Sequence, residues 1–141
     1  MTRQAHPQTH YWTWQGFHIR YQSAGTQGPT LLLIHGFGAH SDHWRKNLPE
    51  LGQAHCVYAI DLIGYGQSAK PAPGSPINYT FETWGQQIID FCQEIIGKPT
   101  FLVGNSIGCI VAMQAAAIAP HQVRGLVILD CSLRLLHDRK R

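Results

Sequence analysis

Gly104-Asn105-Ser106-Ile107-Gly108 lies between an apolar run, Phe101-Leu102-Val103, and an alanine-rich run, Cys109 to Ala119. An apolar strand followed by a helical run, with a serine at the junction, predicts a sharp strand-to-helix turn that lifts the serine hydroxyl out of the chain. The glycines two before and two after Ser106 fit that turn sterically. A serine held in strained backbone geometry crowds both flanking positions, and a residue without a Cβ avoids the clash.

Working outward, the same alternation repeats. Leu31 to Ile34 and Cys56 to Ile60 are short apolar runs of the kind found in strands covered on both faces. Tyr11 to Tyr21 alternates aromatic and polar residues around Gly16 and reads as a hairpin. Ser41 to Leu51 carries Trp44, Leu48 and Leu51 at helical spacing, with Ser41 or Asp42 as the capping residue. Thr80 to Ile96 is the most regular helix, with Phe81, Trp84, Ile88, Phe91 and Ile95 on one stripe, Thr80 at its start and Gly97 at its end. Strand 100–104, helix 106–119 and strand 123–130 complete the pattern, with Pro120 breaking the last helix. Strands alternating with helices predict an α/β fold, a mostly parallel sheet with helices on both faces. Its reactive loops lie at the carboxyl ends of the strands. His35, Asp61 and Gly104 all begin segments at such ends.

The chain has 141 residues, a net charge of +3 and only 13% charged residues, so a nucleic-acid partner is not expected. The stretch Ile107–Ala119 is too short to span a bilayer, and Met1 to His10 lacks the apolar core of a secretory signal. Four cysteines, 56, 92, 109 and 131, match no zinc or redox spacing and read as free thiols in a reducing, cytoplasmic setting. No metal or cofactor is expected. His40 and His43 stand three apart, but no carboxylate or cysteine completes a ligand set, and both read as capping or surface residues.

A serine hydroxyl needs a base and a site that stabilises the oxyanion. Ser106 is the candidate nucleophile, and the amide of Ile107, at the positive end of the helix it opens, is one oxyanion donor. The other is expected in His35-Gly36-Phe37-Gly38, after the third strand, at the amide of Phe37. His35, Gly36, Gly38 and Asn105 are the candidate binding residues around them, His35 packing within its loop.

These motifs resemble the first half of the α/β-hydrolase fold, over Trp12 to about Ser132, which supplies the first six strands of the family's eight. His35 to Gly38 resembles the family's oxyanion loop, Asp61 to Ser68 its turn after the fourth strand, and Gly104 to Gly108 its elbow. Lys98 to Ser106 and Val123 to Leu129 are similar to the pheophytinase-like branch of photosynthetic organisms. Serine at the elbow argues against dehalogenases and epoxide hydrolases, which carry aspartate there. The resemblance implies ester hydrolysis through an acyl-enzyme, on a small apolar ester, with an acid and a histidine in later strands. Only 35 residues follow Ser106, so the chain reads as truncated after the sixth strand, or as a non-catalytic remnant or half of a split hydrolase. Asp130, at the end of that strand, is the place for a relocated acid, and otherwise a turn residue. The expected layout is a flexible 1–10, a partial hydrolase domain at 11–132 and a basic tail at 133–141. Self-association through the open sixth strand follows from it. A dinucleotide-binding reading of Gly36-Phe37-Gly38-Ala39-His40-Ser41 with Asp61 also exists. Ser41 in place of the third small residue, the short helix and the preceding hairpin count against it.

Overall fold

A computed structural model describes residues 5–74 and 76–131, so the expected tail at 133–141 lies outside the described residues. Six strands form one sheet: β1 (Gln8–Trp14), β2 (Phe17–Ala24), β3 (Thr30–Ile34), β4 (Cys56–Ile60), β5 (Thr100–Asn105) and β6 (Val123–Leu129). Their order is β1-β2-β4-β3-β5-β6. The β4–β3, β3–β5 and β5–β6 pairs are parallel, while β1–β2 and β2–β4 are antiparallel. The hairpin closes on Gln15-Gly16, both at positive φ (50° and 84°), the geometry whose twist matches flanking strands. Pairing of Gln8 with Ser23 starts β1 three residues before the expected Tyr11, inside the stretch expected to be flexible.

Helices cover both faces, as the alternation predicts. On one, α2 (Phe81–Phe91) and α3 (Ile107–Ile118) bury Trp84, Ile88, Phe91, Val111 and Ala112 against Leu32, Ile34, Ile60 and Leu102. On the other, Trp44 and Leu48 pack on Leu33, Val57 and Ala59. Thr80 caps α2 by accepting from the Thr83 amide at 3.2 Å, and a π-turn at Cys92–Ile96 ends at Gly97, φ 76°. The hairpin is pinned to this helical run by indole N–H bonds, Trp14 to Asp90 at 2.8 Å and Trp12 to Glu94 at 2.7 Å.

The helix expected over Ser41–Leu51 is two pieces: a 3-10 turn at Ser41–Trp44 and α1 (Asn47–Leu51). Pro49 is the reason. It has no N–H to donate and crowds the preceding turn, so the α-helix starts just ahead of it and holds it in the first turn. Neither Ser41 nor Asp42 is the capping residue: His40 stands there and its side chain caps no backbone amide. The donor that needs satisfying, the Ser41 amide, goes to the Asp61 carboxylate at 2.6 Å. This broken segment also leaves the Gly36 loop without the long helix that a dinucleotide site uses.

β1 and β6 are the two edges of the sheet, and β6 exposes a run of aliphatic residues. Leu126, Val127, Ile128 and Leu129 are each 39–44% exposed, whereas β3 is buried on both faces.

Candidate active site

Ser106 has φ 57° and ψ −119°, a conformation that L-residues rarely adopt, at the junction of β5 and α3. Strain of this kind persists where the surroundings hold it. Here the Ser106 amide donates to the Leu129 carbonyl at 3.0 Å and the Ser106 carbonyl accepts from the Cys109 amide at 3.1 Å. A Cβ on Gly104 would lie 2.5 Å from the Gly108 backbone, and one on Gly108 would lie 2.3 Å from the Ile34 carbonyl oxygen. Both glycines are therefore required by close backbone approach.

The β3 loop comes to the same point. A Cβ on Gly36 would lie 3.2 Å from the Ser106 Cβ and 3.3 Å from the Asn105 carbonyl oxygen, so the Gly36 backbone lies against the serine. Ile107 is the first residue of α3, and its amide has no acceptor within the helix. Phe37 is 80% exposed, with its ring edge-on to Tyr65 at 6.4 Å. Gly38 turns the loop at φ 69°. The Ala39 amide closes it on the Gly36 carbonyl at 3.2 Å.

His35 braces this loop. It is fully buried, Nδ1–H donates to the Gly36 carbonyl at 2.8 Å, and Nε2 accepts from the Leu62 amide at 3.0 Å. The amide donor fixes the tautomer, because Nε2 must be unprotonated to accept. Both nitrogens are thus engaged, which suits a packed loop residue and not a proton acceptor. Burial pushes the His35 pKa below the ordinary imidazole value, against the opposing pull of the Gly36 carbonyl and of Asp61. The unfolded chain gains this proton near pH ~6.5 and the folded chain only at lower pH. Stability is therefore full above about pH 6.5 and is lost as pH falls below it. The thermal midpoint should hold from pH 8 to 7 and drop towards pH 5. His35→Gln, which can keep one donor and one acceptor, should flatten that drop. An unchanged pH profile in the variant would show that another group causes it.

Asp61 organises the second layer. Fully buried, it accepts from the Ser41 amide at 2.6 Å, the Gln67 amide at 2.9 Å and the Arg20 guanidinium at 3.4 Å. Arg20 also bonds Asp42 at 2.9 Å. That bond, opposed by partial burial, holds the Asp42 carboxyl below the usual range. Burial works against the Arg20 charge, but the two aspartates outweigh it. The Gln67 bond lies within the turn expected over Asp61 to Ser68. The Ser41 and Arg20 bonds join residues 20 and 41 positions away, beyond what local spacing signals.

Asp130 follows β6 at φ 50° and is exposed, one residue from the carbonyl that holds the Ser106 amide. Among the described residues no hydrogen bond ties the Ser106 hydroxyl to a histidine or carboxylate. Sequence reading misses two neighbours. Tyr65 packs edge-on against His35 at 5.0 Å. A cavity of about 210 Å³ is lined by His43, Trp44, Asn47, Asn105 and Leu129. Only the glycines around Tyr65 hinted at the first, and nothing in the spacing hinted at the second. No cluster that could hold a metal ion occurs among the described residues, and no helix there is long and apolar enough to cross a membrane.

Residues 29–138 match the family described as alpha/beta hydrolase fold. The chloroplastic pheophytinase of Arabidopsis thaliana is 30% identical over 81% of this chain and 30% of its own length. A haloalkane dehalogenase of Mesorhizobium japonicum is 34% identical over 79% of this chain and 35% of its own. The crystal structure of a membrane phospholipase A, a bacterial virulence factor, superposes with a TM-score of 0.83 at 35% identity, over 89% of this chain and 40% of that one. The chain thus spans about a third of the length of these curated relatives. Its strand order, its elbow at Ser106 and these matches together establish that the chain belongs to the alpha/beta hydrolase fold family.

Proposed function

We propose that this chain carries the nucleophile of a serine hydrolase that cleaves a small apolar ester through an acyl-enzyme. The observation that carries the reading is the backbone of Ser106 at φ 57°, with Gly36 packed against its Cβ. In this reading the Ser106 Oγ attacks the ester carbonyl carbon and its proton passes to a base. The developing oxyanion sits between the amides of Phe37 and Ile107. The alcohol then leaves with a proton, and water hydrolyses the acyl-serine. Each amide donor is worth about 3–4 kcal/mol in the transition state of such a reaction. His35, Gly36, Gly38 and Asn105 shape the loop and the substrate's approach. Asp130 is the candidate acid, because Leu129 beside it already bonds the elbow. The base is not among the residues assigned.

A dehalogenase among the relatives offers another chemistry on the same fold, but a serine suits attack on a carbonyl. The second reading is a non-catalytic remnant, favoured by the lack of a described histidine partner for Ser106. Hydrolysis of p-nitrophenyl esters separates the two. The nucleophile reading expects a slow rate, below about 10⁻³ of a relative with its whole triad, given what a base-assisted nucleophile gains. That rate should fall to the buffer level in Ser106→Ala. A rate unchanged by Ser106→Ala overturns the nucleophile role.

The reading includes a cytoplasmic, reducing location, supported by four free thiols, and self-association through β6. The apolar residues exposed along that edge support the latter, since unpaired hydrophobic edges template pairing with other chains. Sedimentation velocity should show dimers or larger species; a clean monomer would remove this part of the reading.

A further inference from the structure

Gln87 lies on the buried face of α2 with no exposed surface, and its side-chain Nε2 has no partner among the described residues. A buried, unpaired N–H carries a desolvation cost that an apolar residue at this position would avoid. What the side chain does bind is the Ile63 amide, which donates to Oε1 at 3.1 Å. One turn earlier on α2, the Trp84 indole N–H donates to the Ile63 carbonyl at 3.1 Å, so the helix grips that residue at both its polar groups. The neighbours of Ile63 carry the grip onward. The Leu62 amide donates to His35 Nε2 at 3.0 Å. The Tyr65 amide closes on the Leu62 carbonyl at 2.9 Å, and the Tyr65 ring packs edge-on against His35 at 5.0 Å. Two contacts of the imidazole thus ride on the segment that α2 holds.

On its other side, His35 donates from Nδ1 to the Gly36 carbonyl at 2.8 Å, and the Ala39 amide donates to the same oxygen at 3.2 Å. The Gly36 carbonyl and the Phe37 amide belong to one planar peptide unit, in which C=O and N–H point in opposite directions. Fixing the carbonyl therefore fixes the amide. With two donors on the Gly36 oxygen, the Phe37 N–H is turned the other way, and among the described residues no backbone carbonyl accepts it.

We propose that Gln87 is a positioning residue for the oxyanion donor, acting through Ile63, Leu62 and His35 to hold the Gly36–Phe37 peptide with its N–H free for the reacting oxygen. This rests on the reading of the Phe37 amide as an oxyanion donor beside Ser106. Without the Oε1 acceptor, the peptide between Leu62 and Ile63 loses its tether and the imidazole loses its fixed neighbour. The Gly36–Phe37 peptide can then turn its carbonyl towards the site. A carbonyl there opposes the developing negative charge that an amide would stabilise.

The test compares Gln87→Met and Gln87→Glu in the full chain. Methionine removes the acceptor together with the unpaired N–H, while glutamate keeps an acceptor oxygen. Imidazole nitrogen spectra of the isotope-labelled chain, with His35→Gln for assignment, should show His35 as a single Nδ1–H tautomer in the parent. Mixed tautomers are expected in Gln87→Met, and the parent pattern again in Gln87→Glu. At saturating fluorophosphonate, labelling of Ser106 should slow about tenfold in Gln87→Met, a fraction of the roughly 10²–10³ that losing a donor outright costs. The half-saturating concentration should not change, and glutamate should restore the rate. If Gln87→Met does not fold, Trp84→Phe, which deletes the other bond to Ile63 and keeps a ring, should give the same two changes. The proposal is overturned if folded Gln87→Met keeps the single tautomer, if glutamate does not restore what methionine removes, or if the loss lies in the half-saturating concentration. A Ser106 that takes no label in the parent chain counts against the nucleophile reading instead, and the tautomer spectra then decide the role of Gln87.

Discussion

Asp61→Ala is expected to destabilise the fold by about 3–5 kcal/mol, the cost of removing one partner from a buried ion pair. Asp61 has no exposed surface, and its carboxylate meets the Arg20 guanidinium and the amides of Ser41 and Gln67. Alanine leaves those amides without an acceptor, and among the described residues leaves Arg20 with only the half-exposed Asp42 as its charge partner. Native stability of a domain is itself only about 5–15 kcal/mol, so much of the population should unfold at moderate temperature. Asp61→Asn keeps an acceptor oxygen for the Ser41 amide and should lose less. Urea denaturation followed by tryptophan fluorescence measures both. A midpoint in Asp61→Ala equal to that of the parent chain would mean the network is ornamental.

Gly108→Ala is expected to cost about 3 kcal/mol, at the upper end for overpacking a rigid site. The added methyl would sit 2.3 Å from the Ile34 carbonyl oxygen and 2.7 Å from that of His35. Both are backbone atoms of β3 and its loop, so no side chain can swing aside. Either α3 moves away from β3 or the elbow opens, and in both cases Ser106 leaves the Gly36 loop. Gly16→Ala in the hairpin turn meets no atom within 4 Å, and its penalty comes from the backbone at φ 84° alone. It should therefore cost about 1 kcal/mol. Thermal melts of the two variants check the ordering, and an equal loss in both would contradict the steric account.

These two sites show which parts of the fold were legible in the letters. The elbow was legible because each of its small positions has a local steric cause, and Gly104 and Gly108 both meet backbone where a Cβ would go. β3 and β4 were legible because strands buried on both faces must be apolar throughout. α2 was legible from its stripe and its Thr80 cap. The segment 41–51 was misread because Trp44, Leu48 and Leu51 keep helical spacing while Pro49 sets where the helix starts. Its cap was misread because the acceptor comes from Asp61, on another strand end. The same limit hid the cavity beside Asn105, which arises where Asn105 and Leu129 lie side by side on β5 and β6. Sequence spacing carries local geometry well and carries contacts between distant segments poorly.

Ser23 provides the sharpest contrast for the central claim. Its hydroxyl bonds the His10 ring at 2.9 Å, so it has the histidine neighbour that Ser106 lacks among the described residues, but it lies in regular strand β2. Ser68 is buried and bonds the Asp61 carbonyl at 2.6 Å. Treating the chain with a fluorophosphonate and mapping the adduct by peptide mass spectrometry asks whether the strained turn or the histidine neighbour sets reactivity. The account predicts an adduct on Ser106, absent in Ser106→Ala. An adduct on Ser23 or Ser68 with Ser106 unmodified would contradict it.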